Sequence, residues 1–342
     1  MAFSFSSTDS ATWVQNPTSY FLARAFGSNL DIDYAPFLIA AHNLCSEAGL
    51  DVDMAAACLG WAFEAWERGH LTAEDTGGLA LVWGDHAAAM ALLRQMIRRE
   101  GFGASLADGP LAAARRLGRG SEAYAMHVKG APLNEASMRP FKAWAMGIVL
   151  STHGASHLDG APLAGALRNH QELCERLFGN PEPAKAGDYH NQARVVSWYE
   201  AYKGVVDMLG ICYFTSMWLD ALAISPEDLA DLYAAGTGRR VTSEELMETG
   251  YRLHALQKAF NTLHAGHGRT EDQPPARLAE YKVEGGPFDG ESLDPVLWNG
   301  MLDEYYAEKG WDKESGWQTR QSLERWDLGW VADRLEAAGR LK

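Results

Sequence analysis

Apolar side chains recur every three or four residues along almost the whole chain, a spacing that lets a helix bury one face. From Tyr34 to Cys45, and from Val52 to Trp66, the pattern is unbroken, with Gly49 and Gly69 placed to end the turns. Asp85 is positioned to cap a helix running to Glu100, and the closing Arg98 and Arg99 suit the carbonyl end of its dipole. Thr72 and Asp75 have capping-box spacing, but Gly77 and Gly78 cut that helix short, and Gly101-Phe102-Gly103 is a further break. Ser121 to Gly130 alternates through Tyr124, Met126 and Val128 and reads as extended. Beyond it, Asn191 to Leu209 is a helix rich in aromatic residues, and Ser225-Pro226-Glu227-Asp228 is a helix start. Thr242 and Glu245 form another capping box. Behind it, Leu246, Leu253, Leu256, Phe260 and Leu263 make one stripe expected to face the core. Pro274 to Gly290 reads as loop, and two more helices close the chain. With no internal repeat, no run of short alternating strands and no βαβ pattern, the fold class is mostly α.

Prolines at 132, 140 and 162 punctuate the middle of the chain and place a domain boundary there. The 342 residues are 47% apolar, enough for a sizeable core and against global disorder. Thirty basic against forty-five acidic side chains give a formal charge of −15, which argues against nucleic-acid and anionic-membrane partners. No apolar run reaches the ~18 residues of a spanning helix. The first ten residues also lack the basic and apolar segments of a secretory signal, so a cytoplasmic location is expected. Cys45, Cys58, Cys174 and Cys212 are irregularly spaced and form no disulfide framework or zinc ribbon.

Several groups carry a chemical and a plainer structural reading together. His153 and His157 lie four apart, but Gly154 between them makes a loop the better reading than a metal site, and His264 and His267 flank Gly266 in the same way. Trp198, Tyr199 and Tyr202 could line a flat cofactor pocket, with core packing the stronger account. Glu64 and Glu67 read as a solvated face. Two segments differ from these: Cys45-Ser46-Glu47-Ala48-Gly49-Leu50-Asp51 and Val206-Asp207-Met208-Leu209-Gly210-Ile211-Cys212. Each ends a helix in glycine, an aliphatic residue, and then an acid or a thiol. The glycine lets the backbone approach a ligand, and a carboxylate three residues earlier can accept from an amino-bearing heterocycle. A cysteine thrown out of the helix can reach an iron–sulfur cluster as thiolate.

These paired segments resemble the Asp-x-x-Gly-Leu-(Asp/Cys) motifs of the tungsten-containing aldehyde:ferredoxin oxidoreductase family. Other blocks do so in the same order: Phe26-Gly27-Ser28-Asn29, Arg99 to Gly103, Tyr124 to Gly130, Gly154-Ala155-Ser156-His157-Leu158, Cys212 to Ser216, Phe260-Asn261, and Leu302 to Tyr306 leading to Gly310-Trp311-Asp312. The resemblance runs from about Tyr20 to Val331. It implies two helical domains like the family's second and third, at 20–130 and 131–342, with 1–19 outside the match. The motifs would then end helices that face one cavity. By the same resemblance, Gly49, Leu50, Asp51, Asp207, Gly210 and Ile211 would hold a tungsten- or molybdenum-bis-pterin. Cys212 would be one ligand of a 4Fe-4S cluster, and ferredoxin would accept the electrons of aldehyde oxidation.

The departures also carry weight. The family's other three cluster cysteines have no counterpart in residues 1–19, its β-rich base domain is absent, and Ser46 stands where the first motif has an acid. A family carboxylate near the substrate falls at Phe21, so proton handling passes to a histidine: His157, His170 or His190. The isolated chain is expected to hold no cluster. An inner apolar face near Tyr20, Phe21 and Asp207 to Phe214 is expected to meet a missing base-domain subunit or a second copy. Two functions are implied: a subunit or fragment of a metal-pterin, iron–sulfur aldehyde oxidoreductase, or a non-catalytic descendant serving binding or assembly. The plain reading of the second motif is a buried, apolar Cys212 with Asp207 paired to a nearby base.

Overall fold

A computed structural model of the chain describes residues 3–7, 10–14, 23–133, 138–162, 171–181, 187–216 and 224–342. Tyr20, Phe21 and His170 lie outside the described residues. The chain divides into two compact units, Met1–Asn134 and Glu135–Lys342. The only paired strands among the described residues are two short antiparallel hairpins, β1 (Phe3–Ser7) with β2 (Ser10–Val14), and β3 (His127–Val128) with β4 (Ala131–Pro132). The rest is helix and turn, as the periodicity requires.

In the first unit the helices of eight or more residues are α1 (Ala35–Ala48), α2 (Val52–Glu67), α3 (His86–Arg98) and α4 (Pro110–Leu117). Their inner faces bury Phe26, Phe37, Leu59, Phe63 and Leu92 in one core. The Asp85 carboxylate accepts from the Ala87 and Ala88 N–H groups at 2.9 and 3.0 Å, as its cap position predicts. The helix stops at Arg98 rather than Glu100, because Arg99 adopts a left-handed conformation, φ 55°. Thr72 and Asp75 bond reciprocally but hold only a turn, and Asp75 also pairs with Arg119 at 2.8 Å. Ser121 to Tyr124 is a 3-10 turn rather than extended chain, and only His127–Val128 forms strand. Glu64 corrects its solvated reading: it is buried, 2.9 Å from Arg68, whereas Glu67 is exposed.

In the second unit lie α5 (Lys142–Leu150), α6 (Gln171–Phe178), α7 (Gln192–Met208), α8 (Pro226–Thr237), α9 (Ser243–Ala265), α10 (Pro295–Lys309) and α11 (Gly329–Ala337). Both predicted capping boxes form, at Ser225/Asp228 and at Thr242/Glu245. The helix α7 is central, with most of its side chains buried. Trp198 stacks on Tyr202 with ring centroids 5.3 Å apart, and Trp198, Tyr199 and Tyr202 are all buried, which favours the packing account. Residues Trp298, Met301, Leu302, Tyr305 and Tyr306 of α10 follow helical spacing and are all buried, each such side chain contributing ~1.5–3 kcal/mol.

The stripe assigned to α9 is only in part its buried face, with Leu246, Leu253 and Leu263 half-buried and Leu263 packed on a core cluster. Leu256 and Phe260 are exposed, while Gly250, His254, Ala255, Lys258, Ala259 and Thr262 face inward. Close approach is the reason: a Cβ added at Gly250 would lie 2.1 Å from the Ala201 carbonyl oxygen, so α7 and α9 meet backbone to backbone. His264, read as a loop residue, stands in the last turn of α9 against Phe260, with centroids 4.3 Å apart. No helix among the described residues is long and apolar enough to cross a membrane.

Candidate functional site

Both Gly-aliphatic segments end their helices in the same hydrogen-bonded cap. In the first, Gly49 is left-handed at φ 70°, its N–H donates to the Ser46 carbonyl, and the Leu50 N–H donates to the Cys45 carbonyl at 2.8 Å. In the second, Gly210 has φ 71°, its N–H donates to the Asp207 carbonyl at 3.0 Å, and the Ile211 N–H donates to the Val206 carbonyl at 3.0 Å. The next residue is extended in both, Asp51 at φ −67°, ψ 130° and Cys212 at φ −66°, ψ 128°. Neither Asp51 nor Cys212 belongs to its preceding helix.

Their side chains are used differently. Asp51 caps α2 by accepting from the Met54 N–H at 2.9 Å. With Leu50 it lines a cavity of about 310 Å³ walled by Met54, Cys58, Met96 and Ile97, with Arg99 and Asp108 also on its lining. Burial pushes the Cys45 and Cys58 thiols up to about 12, the Asp51 charge adding to the effect at Cys45, so both are poor thiolates. Cys174 is buried and raised for the same reason. Cys212 is exposed, which rejects its buried reading. Asp207 does pair with a base, Lys203, yet 56% of its side-chain surface remains open. Beside them Met208 and Phe214 are 47% and 48% exposed.

Tyr213, next to Cys212, is fully buried, and its phenol is raised well above its ordinary value. Desolvation is the main cause, followed by Tyr199 and Tyr202 and then by the charges of Asp207 and Asp159. The turn holding His157 packs on the same helix, α7, where a Cβ at Gly160 would stand 2.6 Å from the Glu200 Cα. His157 stacks on Trp144 with centroids 5.4 Å apart. Two residues on, the Asp159 carboxylate accepts from the Thr152 N–H at 2.6 Å, the Thr152 hydroxyl at 2.8 Å and the Ser151 hydroxyl at 3.1 Å, which staples the turn. His190 stands elsewhere, with 80% of its side chain exposed and its ring 3.7 Å from Glu304. Among the described residues no three His, Cys, Asp or Glu side chains gather as a metal site, His153 and His157 included.

The sequence reading missed a buried polar cluster. The Glu200 carboxylate accepts from the Tyr305 hydroxyl at 2.8 Å and pairs with Lys309 at 2.8 Å, and His254 lies 3.4 Å away. Nearby, Asp272 accepts from the Tyr306 hydroxyl at 2.8 Å and pairs with Lys258 at 3.3 Å. Burial first, then these carboxylates, raise both tyrosines well above their ordinary range. The local hints are two pairs four apart on single helices, His254 with Lys258 and Tyr305 with Lys309. The carboxylates they meet, Glu200 from α7 and Asp272 from a loop, are distant in sequence and leave no linear motif.

A helical pair of units with two such helix-end motifs defines a class of protein, and comparison assigns it. A family model described as "Aldehyde ferredoxin oxidoreductase, domains 2 & 3" matches residues 5–328, so the chain belongs to that family. The match begins ahead of Tyr20, where the resemblance read from motifs starts. The chain is 27% identical over 304 residues to a tungsten-containing aldehyde ferredoxin oxidoreductase of Pyrococcus furiosus, covering 88% of this chain and 46% of that protein. It is 28% identical over 329 residues to an aliphatic sulfonate oxidoreductase, WOR-like subunit, of the same organism, covering 92% and 46%. The chain therefore spans about half the length of these relatives. In fold it is similar to a chain of the BamBC active-site complex of benzoyl coenzyme A reductase, with TM-score 0.75 and 23% identity over 97% of this chain and 52% of that one.

Proposed function

We propose that this chain supplies the helical domains of a metal-pterin oxidoreductase that converts aldehydes to carboxylic acids and passes the electrons to a ferredoxin. As a subunit or a fragment, it would meet the base domain on a partner polypeptide or on the rest of a longer chain. The observation that carries this reading is the second segment, which holds an exposed thiol and a largely open carboxylate on a rigid helix end. Its residues fit one share of the expected cofactors. Cys212 makes no side-chain cap bond and is available as one cluster ligand, while buried Cys45, Cys58 and Cys174 are unsuited to be the others. Asp207 would accept from the amino group of a pterin. Asp51 would do so through the oxygen that Met54 leaves free, beside a cavity within the size range of cofactor sites.

When bound, a tungsten- or molybdenum-bis-pterin supplies the two-electron oxidation and the cluster supplies the electron exit. The protein's share is to hold, orient and move protons. Of the two described histidine candidates, His157 is our assignment for proton handling, because its turn packs through Gly160 on Glu200 of α7, the helix that ends in the second segment. A second reading, a non-catalytic binding or assembly protein, draws support from the neutral Ser46 and from the use of Asp51 as a helix cap.

The test is metal, iron and pterin analysis of the natively purified protein with its associated polypeptides. Tungsten or molybdenum with iron is the expected result, and Cys212→Ser should remove iron while leaving the helical circular dichroism unchanged. A metal-free, pterin-free assembly would leave the binding-protein reading in its place.

A further inference from the structure

We propose that Glu200 is a positioning residue which sets, from one point on α7, the place of both the second Gly-aliphatic segment and the His157 turn. The inference deepens the proposed function and rests on it for the roles of those two segments. The Glu200 side chain, 1% exposed, is bonded to Tyr305 and Lys309 of α10 and lies 3.4 Å from His254 of α9. At the same level the α7 backbone is clamped sterically. A Cβ at Gly160, three residues after His157, would stand 2.6 Å from the Glu200 Cα, and one at Gly250 would stand 2.1 Å from the Ala201 carbonyl oxygen. A helix gripped by a buried ion pair and two backbone contacts within one turn can neither slide nor rotate there.

Two turns along, the same helix presents Asp207, with Lys203 between them bonding its carboxylate. The turn that abuts Glu200 through Gly160 also carries His157, and its Asp159 carboxylate holds it to Ser151 and Thr152. Turn and helix end are thus referenced to one residue that need touch neither substrate nor cofactor. Asp272 offers an internal control. It is an equally buried carboxylate with partners on the same two helices, Lys258 of α9 and Tyr306 of α10, but it stands on a loop and not on α7.

The experiment is amide hydrogen exchange on the full chain carrying Glu200→Gln, read at Gly210, Ile211 and Ala161. Their N–H groups bond the Asp207, Val206 and His157 carbonyls. We expect these three to exchange roughly tenfold faster, with Gly49 and Leu50 of the first segment unchanged. Asp272→Asn should lower the melting temperature without this local signature. If Glu200→Gln does not fold, Tyr305→Phe removes one of the carboxylate's donors and should give a smaller increase at the same three amides. Unchanged exchange in the variant that folds, or equal acceleration by Asp272→Asn, overturns the proposal. Because the readout needs no cofactor, its failure is separate from a failure of the functional reading, which metal analysis decides.

Discussion

The two Gly-aliphatic segments share one backbone and differ in what their side chains do. Both end a helix in a left-handed glycine, both satisfy two carbonyls in the same cap, and both then turn to an extended residue with torsions equal within a few degrees. In the first, that residue is an acid used to start the next helix, and the position three before the glycine is a neutral serine. In the second, it is an exposed thiol, and the earlier position is a carboxylate steadied by Lys203. The comparison teaches that the cap is a local device which any Gly-aliphatic sequence can build. The groups it presents depend on the element downstream: α2 begins at once after Asp51, whereas Cys212 is followed by the 3-10 turn Tyr213–Thr215.

The largest expected effect tests the shared half of the comparison. Gly49→Ala and Gly210→Ala should each cost about 1–2 kcal/mol, because a Cβ meets nothing within 4 Å at either site and only the left-handed backbone is penalised. Chemical denaturation of both variants checks this, and a cost at one site more than twice that at the other would break the equivalence. A smaller effect sharpens the difference. Asp51→Ala should lose about 1 kcal/mol as α2 loses its cap, while Cys212→Ala should stay within about 0.5 kcal/mol. Equal losses would mean that Cys212 also serves the fold.

The subtlest effect concerns the thiols. At pH 8 a disulfide reagent should modify Cys212 in the folded protein and leave Cys45, in the first segment, and Cys58 untouched. The folded-state values of Cys45 and Cys58 are raised from about 9 to about 12, so the unfolded chain releases these protons first. Their contribution is therefore full below pH 9 and is lost as the pH rises from about 9 to 12. The melting temperature should fall across that window, and less steeply in Cys45→Ala and Cys58→Ala.

Much of the fold was legible because its signals are local. Asp85, Ser225 and Thr242 cap where side-chain chemistry and spacing say they should, and the Gly49 and Gly210 stops need only residues within five positions. The α9 stripe failed in part, for a reason that no local rule contains. Gly250 lets α7 come so close that small and polar residues face inward, leaving Leu256 and Phe260 outside. Glu64 likewise reads as solvated by its spacing from Glu67, and only packing against the rest of the unit buries it.

The sequence by itself determined the helical class, the helix ends and the chemistry offered at Asp51, Asp207 and Cys212. These depend on torsions, hydrogen bonds and side-chain types within a few residues of each other. Only the tertiary structure decided which of those groups are open, that the His157 turn packs on α7 at Glu200 while the His190 side chain is largely exposed, and that Glu200, His254 and Lys309 meet at all. Burial and charge pairing are set by helices distant in sequence, and a buried ion pair is tolerable only where the whole fold brings its partners together.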